Sequence, residues 1–166
     1  MFNKQGWPTW ARLLVVVATL AIIVATWWLI IGRQPKNMDQ LGFDNLYHYR
    51  NEDLKFNLDL PEQFIYYQTE RTNSADYREI KFYVPTSDPE YTNATPPSYA
   101  RPIVVRVFDE EAWKKLSDED ESKKDFTQAA SRDSKVYLIS FWDKQPADWQ
   151  GKWSEAMKES ITKSLQ

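Results

Sequence analysis

Residues 103–108 read IVVRVF: three valines, an isoleucine and a phenylalanine, with Arg106 as the lone charge. β-Branched and aromatic residues favour the pleated backbone, and a run apolar on both faces belongs inside a sheet. The stretch therefore predicts a central strand. Residues 135–142 (KVYLISFW) repeat the signal, with Val136, Leu138, Ser140 and Trp142 on one face and Tyr137, Ile139 and Phe141 on the other. A second internal strand is expected there. Upstream, residues 77–84 alternate so that Ile80, Phe82 and Val84 point to a core until Pro85 ends the run. Leu54, Phe56, Leu58 and Leu60 alternate in the same way before Pro61, and Tyr47 and Tyr49 mark a strand ahead of them. A further strand is expected to begin in residues 64–67 (FIYY) and to run into a polar turn over residues 70–76.

The later half carries helical signals. Asp109 is placed to cap a helix bearing Ala112, Trp113 and Leu116, and Phe126 and Ala130 lie one turn apart in an expected short helix over residues 122–130. Pro146 opens a closing helix that reaches about Leu165, in which Trp149, Trp153, Ala156, Met157, Ile161 and Leu165 keep a 3.6-residue period. Strands grouped early, helices inserted late and an amphipathic closing helix predict the α+β class. The expected architecture is an α-β-α sandwich with a largely antiparallel sheet and a C-terminal packing helix.

Ahead of this domain, residues 13–32 (LLVVVATLAIIVATWWLIIG) hold no charge. At 1.5 Å per residue a helix of that length covers roughly the 30 Å core of a bilayer. The run is longer than a secretory signal's apolar stretch and ends in bulky residues rather than a small-x-small cleavage site, so it reads as a retained signal anchor. Trp7, Trp10, Trp27 and Trp28 flank it as interfacial aromatics do. Lys4 and Arg12 before it nearly balance Arg33 and Lys36 after it, and the short N-terminal flank favours a C-terminus outside the cytoplasm. The expected organisation is a cytoplasmic tail (1–12), a transmembrane helix (13–32), a linker (33–45) and an extracytoplasmic domain (46–166).

Removing Lys4 and Arg12 from the 21 basic residues leaves a net charge of about −5 on the part after the apolar run, which holds all 24 acidic ones. That acidity argues against a nucleic-acid partner, whose phosphates need a basic face. The chain has no cysteine, which removes disulfides, thiolate nucleophiles and soft-metal sites. Its four glycines stand apart at 6, 32, 42 and 151, so no glycine-rich phosphate loop is present. His48 is the sole histidine and no nucleophile elbow accompanies it, so it reads as an edge-strand residue rather than a catalytic or metal-binding one. The run Asp118, Glu119, Asp120, Glu121 lacks the spacing and turn glycine of a calcium loop and reads as a solvated helix boundary. No catalytic residue, cofactor or metal is expected.

Residues 85–102 hold five prolines and no glycine, which predicts a long loop. Tyrosines are amphipathic and favoured at interfaces. Tyr66, Tyr67, Tyr91, Tyr99 and Tyr137 are therefore the expected members of a partly exposed binding surface that includes this loop.

Residues 49–64 (YRNEDLKFNLDLPEQF) resemble the opening of PsbP-like domains, in which a tyrosine, an asparagine, a phenylalanine in an alternating strand, a proline and an aromatic recur in order. Here these are Tyr49, Asn51, Phe56, Pro61 and Phe64. Lys55 stands where members often carry glycine, and Phe64 where they often carry tryptophan. The resemblance covers about residues 46–166 and implies a binding or accessory domain, with no family site residues to carry over. The expectation is a single-pass membrane protein presenting a binding or assembly module to a protein partner in the envelope. Its alternatives are a membrane-tethered, carboxylate-dependent hydrolase of envelope polymer, which needs a deep pocket with a raised carboxylate pKa, and a structural spacer, which needs neither pocket nor exposed apolar patch.

Overall fold

The computed structural model describes Thr19, residues 40–117 and residues 119–166. The expected tail, the transmembrane helix apart from Thr19, and the linker up to residue 39 lie outside the described residues, as does Asp118. No helix among the described residues is long and apolar enough to cross a membrane. The chain divides after Met38, and Asp39–Gln166 carries the fold described below.

Among the described residues, seven strands form two antiparallel sheets. β1 (Leu46–Asn51) and β2 (Phe56–Pro61) make a hairpin in the register Leu46 to Pro61. β3 (Gln68–Asn73), β4 (Tyr77–Pro85), β5 (Tyr99–Asp109), β6 (Thr127–Arg132) and β7 (Lys135–Phe141) form the main sheet, in the order β3-β4-β5-β7-β6. Helix α1 (Glu110–Lys115) follows β5, and helix α2 (Glu155–Ser164) closes the chain. The class is thus α+β, with an antiparallel sheet and a C-terminal helix. IVVRVF lies in the central strand and β7 is internal beside it, as their two-sided apolar character requires.

Alternation splits the sheet into two unlike faces. Ile80, Phe82 and Val84 of β4, Ile103, Val105 and Val107 of β5, and Tyr137 and Ile139 of β7 form the first face. Phe56, Leu58 and Leu60 of the hairpin cover it, together with Trp149, Trp153, Ile161 and Leu165. The C-terminus knits onto β2: Asn57 and Gln166 exchange backbone hydrogen bonds, and the Asp59 amide donates to Ser164 Oγ at 2.9 Å. On the second face Phe108, Val136 and Leu138 make a smaller cluster, covered by Tyr77, Trp113, Leu116 and Phe126 at one end of the sheet.

Five expectations differ. The loop expected over residues 85–102 is shorter, because β4 runs to Pro85 and β5 begins at Tyr99, so that residues 99–102, Pro102 among them, lie in the central strand. The closing helix does not begin at Pro146. Ala147–Trp149 is a lone 3-10 turn, Gly151 takes φ +79, and Ser154 Oγ then accepts the Met157 amide to cap α2, which starts at Glu155. Residues 127–132 are strand rather than helix. Asp133 and Ser134 both adopt positive φ (49° and 58°), the two-residue hairpin turn that matches strand twist, and they pair β6 with β7. The strand expected from Phe64 starts at Gln68, after a 3-10 turn at Glu62–Phe64, and the polar residues 70–73 belong to it. They are exposed because β3 is an edge. Asp109 stands at the N-terminus of α1, but its carboxylate turns away from the helix to Lys135 (2.8 Å) and Arg78 (3.1 Å).

Candidate functional site

The second face is covered at one end only. Its open half is the floor of a cleft of about 630 Å³, formed by Glu79, Val104, Arg106 and Ser140 and walled by Phe126, Tyr91 and Trp142. Register places the floor residues together: Glu79 lies opposite Arg106 and Val104 opposite Ser140.

Arg106, the lone charge of the stretch 103–108, is spent on the fold. Its Nε donates to Glu79 Oε2 at 2.5 Å and its NH1 donates to the Ser122 carbonyl at 2.7 Å. The guanidinium lies over the Tyr77 ring (4.7 Å) and the Phe126 ring (4.1 Å), contacts that favour a planar cation. Glu79 is 7% exposed and is shared with Lys81 at 3.8 Å. Lys81 reaches on to Glu70 (3.7 Å), which accepts a 2.7 Å hydrogen bond from the Tyr83 hydroxyl. Burial and this bond to a carboxylate push the Tyr83 hydroxyl up to about 12. The Tyr83 donor and the neighbouring Lys81 ammonium hold Glu70 below its usual range. A charged network thus crosses β3, β4 and β5 and ties the segment after α1 to the sheet.

Around the rim stand Arg101, Lys124 and Lys144 with Glu121, Asp125 and Asp143. Their ion pairs are loose or exposed: Lys124 lies 3.9 Å from Glu121, and Lys144 meets Glu90 with both side chains more than 60% exposed. Such pairs contribute little to stability.

The proline loop forms one wall and is folded. Asp88 accepts the amides of Glu90 and Ala147, and both bonds hold its carboxyl below the usual range. Asp148 accepts from Thr86 Oγ1 at 2.6 Å and from the Ser87 amide at 3.0 Å. Burial acts to raise the Asp148 carboxyl, and the bonds from Thr86 and Ser87 outweigh it and leave it lowered. Trp149 Nε1 donates to the Pro85 carbonyl, and Pro102 falls where the β4–β5 register shifts. The loop is therefore fastened to the segment that carries Trp142 and Lys144.

The five tyrosines do not share one surface. Tyr91 lines the cleft. Tyr99 is half-buried and accepts from Gln68 Nε2, while Tyr67 packs on the first-face core. Tyr66 is exposed. Tyr137 corrects the expectation: it is fully buried, and its hydroxyl donates to the Leu54 and Lys55 carbonyls at 3.1 Å each. His48 lies on β1 as expected, held between Asp59 (2.7 Å) and Asp44 (3.2 Å). Among the described residues, no cluster of His, Asp and Glu could hold a metal ion.

The charged cleft residues were not identified from the sequence. Arg106 carried a signal, since a charge on an internal strand must find a partner, but Glu79 is 27 residues away. Comparison with family models, with curated proteins and with solved structures finds no match for this chain.

Proposed function

We propose that this chain is a single-pass membrane protein that presents its α+β domain outside the cytoplasm as a binding module, with the open half of the second sheet face as its docking cleft. The cleft carries the reading. It combines aromatic walls with loosely paired charges of both signs, the composition that recognises a protein segment rather than a polyanion. A spacer has no use for such a cleft. A hydrolase would need a carboxyl free to meet its substrate, whereas the buried Glu79 of the floor is engaged by Arg106 and Lys81. Residues 13–32 supply the anchor by length and apolarity.

The same reading takes residues 46–166 as a PsbP-like domain. Two observations support it. Lys55, at the position where members often carry glycine, has φ +56, the left-handed backbone that favours glycine. The motif residues also act as a unit: Asn51 donates to the Tyr49 hydroxyl and accepts the Leu54 amide, and Tyr49 packs on Phe56 with ring centroids 5.7 Å apart.

The test places a photo-crosslinking amino acid at Lys124 or Lys144 of the full chain in its native membrane, with Lys163 on α2 as control. Adducts of one common mass at 124 and 144, absent at 163 and lost at each site when the other lysine is changed (Lys144→Glu with the probe at 124, Lys124→Glu with the probe at 144), are expected. No adduct, or the same adducts at 163, would overturn the proposal.

A further inference from the structure

The large apolar side chains that stand exposed among the described residues are Leu41, Phe43, Ile65 and Tyr66. They come from two separate segments, yet the fold gathers them at one end. β1 and β2 are antiparallel with Leu46 opposite Pro61, so the chain entering β1 and the chain leaving β2 emerge side by side. Leu41 bridges to Tyr47, and the Tyr47 ring meets the Tyr67 ring edge-on at 6.1 Å, linking the two segments.

Backbone geometry pushes two of these side chains outward at a cost. The Tyr67 amide donates to the Phe64 carbonyl, with Ile65 at φ −51, ψ 133 and Tyr66 at φ +61. This is a type II turn, whose third position favours glycine or asparagine. A tyrosine there is strained, and strain held in an exposed aromatic points to a use for that side chain.

Chain length identifies what the patch meets. The apolar run ends at Gly32, nine residues before Leu41, and nine extended residues span at most about 30 Å. The patch lies where the chain enters the domain, and tyrosine, phenylalanine and isoleucine suit the headgroup boundary of a bilayer. Asp44 and Glu62 flank it without a lysine or arginine in residues 40–49 or 56–67, which favours a zwitterionic lipid surface over an anionic one.

We infer that Leu41, Phe43, Ile65 and Tyr66 form a membrane-contact surface that seats this end of the domain on the bilayer; this rests on the anchor reading of residues 13–32. The docking cleft is a separate site, on the second face of the main sheet.

Because the chain has no cysteine, single-cysteine variants Phe43→Cys, Ile65→Cys and Glu52→Cys of the full chain can each carry one environment-sensitive fluorophore. Glu52 lies at the opposite end of the hairpin. The variants are reconstituted into phosphatidylcholine vesicles containing brominated acyl chains, and flotation with resistance to carbonate extraction is read in the same samples. The expected result is co-flotation, with quenching at 43 and 65 at least twice that at 52. Co-flotation with equal quenching at all three sites overturns the inference and leaves the anchor standing. Failure to float overturns the anchor, and the inference falls with it.

Discussion

Glu79→Gln tests whether the charged network under the cleft holds the second face together. The substitution keeps the shape of the side chain and removes its charge, leaving Arg106 with the Ser122 carbonyl and two aromatic rings. Unit charges about 4 Å apart attract by roughly 4 kcal/mol at the effective dielectric of a protein surface layer. Breaking one side of a fully buried pair costs about 3–5 kcal/mol, because the other charge is left buried and unpaired. Arg106 retains 18% side-chain exposure and a second acceptor, so the expected loss is nearer to about 2 kcal/mol, or about 6–10 °C in Tm for a domain of this size. Arg106→Met should cost about as much, since Glu79 keeps only Lys81 at 3.8 Å. The double variant should cost less than the sum of the two by about 1.5 kcal/mol. Thermal and urea unfolding of the full chain in detergent micelles, followed by near-ultraviolet circular dichroism, measures all three. Additive losses, or a Glu79→Gln loss below about 0.5 kcal/mol, would show that the pair is incidental and refute the reasoning.

His48 should titrate above 6.5, chiefly because Asp59 accepts its Nδ1 hydrogen bond, which outweighs the opposing effect of burial, with Asp44 adding to the rise. Its raised folded pKa means that the stabilisation is fully present below the unfolded value and is lost as pH rises through the folded one. Proton resonances of this single imidazole give the midpoint directly, and a midpoint at or below 6.5, or one unmoved by Asp59→Asn, would contradict the assignment. Asp148→Ala should free the proline loop from its anchor and raise the rate of proteolysis within residues 86–98 several-fold while leaving the near-ultraviolet spectrum of the core unchanged; an unchanged rate would mean that Asp88 and Lys144 suffice to hold it. Tyr66→Gly should raise stability in urea by about 1 kcal/mol by relieving the left-handed tyrosine, and a destabilised variant would mean that Tyr66 packs in a way its 62% exposure denies.

The elements legible in the sequence are those whose environment is simple. β5 and β7 are apolar on both faces because the first face is covered by the hairpin and the C-terminal segment and the second is covered at one end, and β2 alternates because one face is buried. Edge strands leave no such mark. β3 reads QTERTN and is exposed throughout, so its strand character comes from pairing with β4, a contact no local pattern encodes. β6 was obscured in the same way, and its hairpin turn at Asp133 and Ser134 uses residues that tolerate positive φ without the glycine that would have announced it. The tryptophan period from Trp149 to Trp153 suggested one helix, yet both indoles reach the same core from a 3-10 turn and an irregular link broken by Gly151. In the site, Tyr91 and the proline loop were readable as loop chemistry. The charges of the floor were not, since their meaning depends on which strand lies beside which.

The way Arg106 is used also says where selectivity in the cleft must come from. A guanidinium in an open groove would ordinarily be the first group assigned to a ligand, but this one is bonded at Nε and NH1 and covered by rings near both ends of the network. Detaching it to meet a partner would leave Glu79 buried against Lys81 alone and release the segment around Ser122, a cost larger than one new ion pair returns. Under the proposed binding role, ligand contacts would fall to Tyr91, Arg101, Lys124 and Lys144, which line the cleft from the loop, from the strand end and from the segments bordering the floor. Exchanging those rim residues should change the partner while keeping the fold, whereas exchanging the floor should lose both together. On the proposed reading the sheet supplies the rigidity, and the segments around its open half supply the recognition.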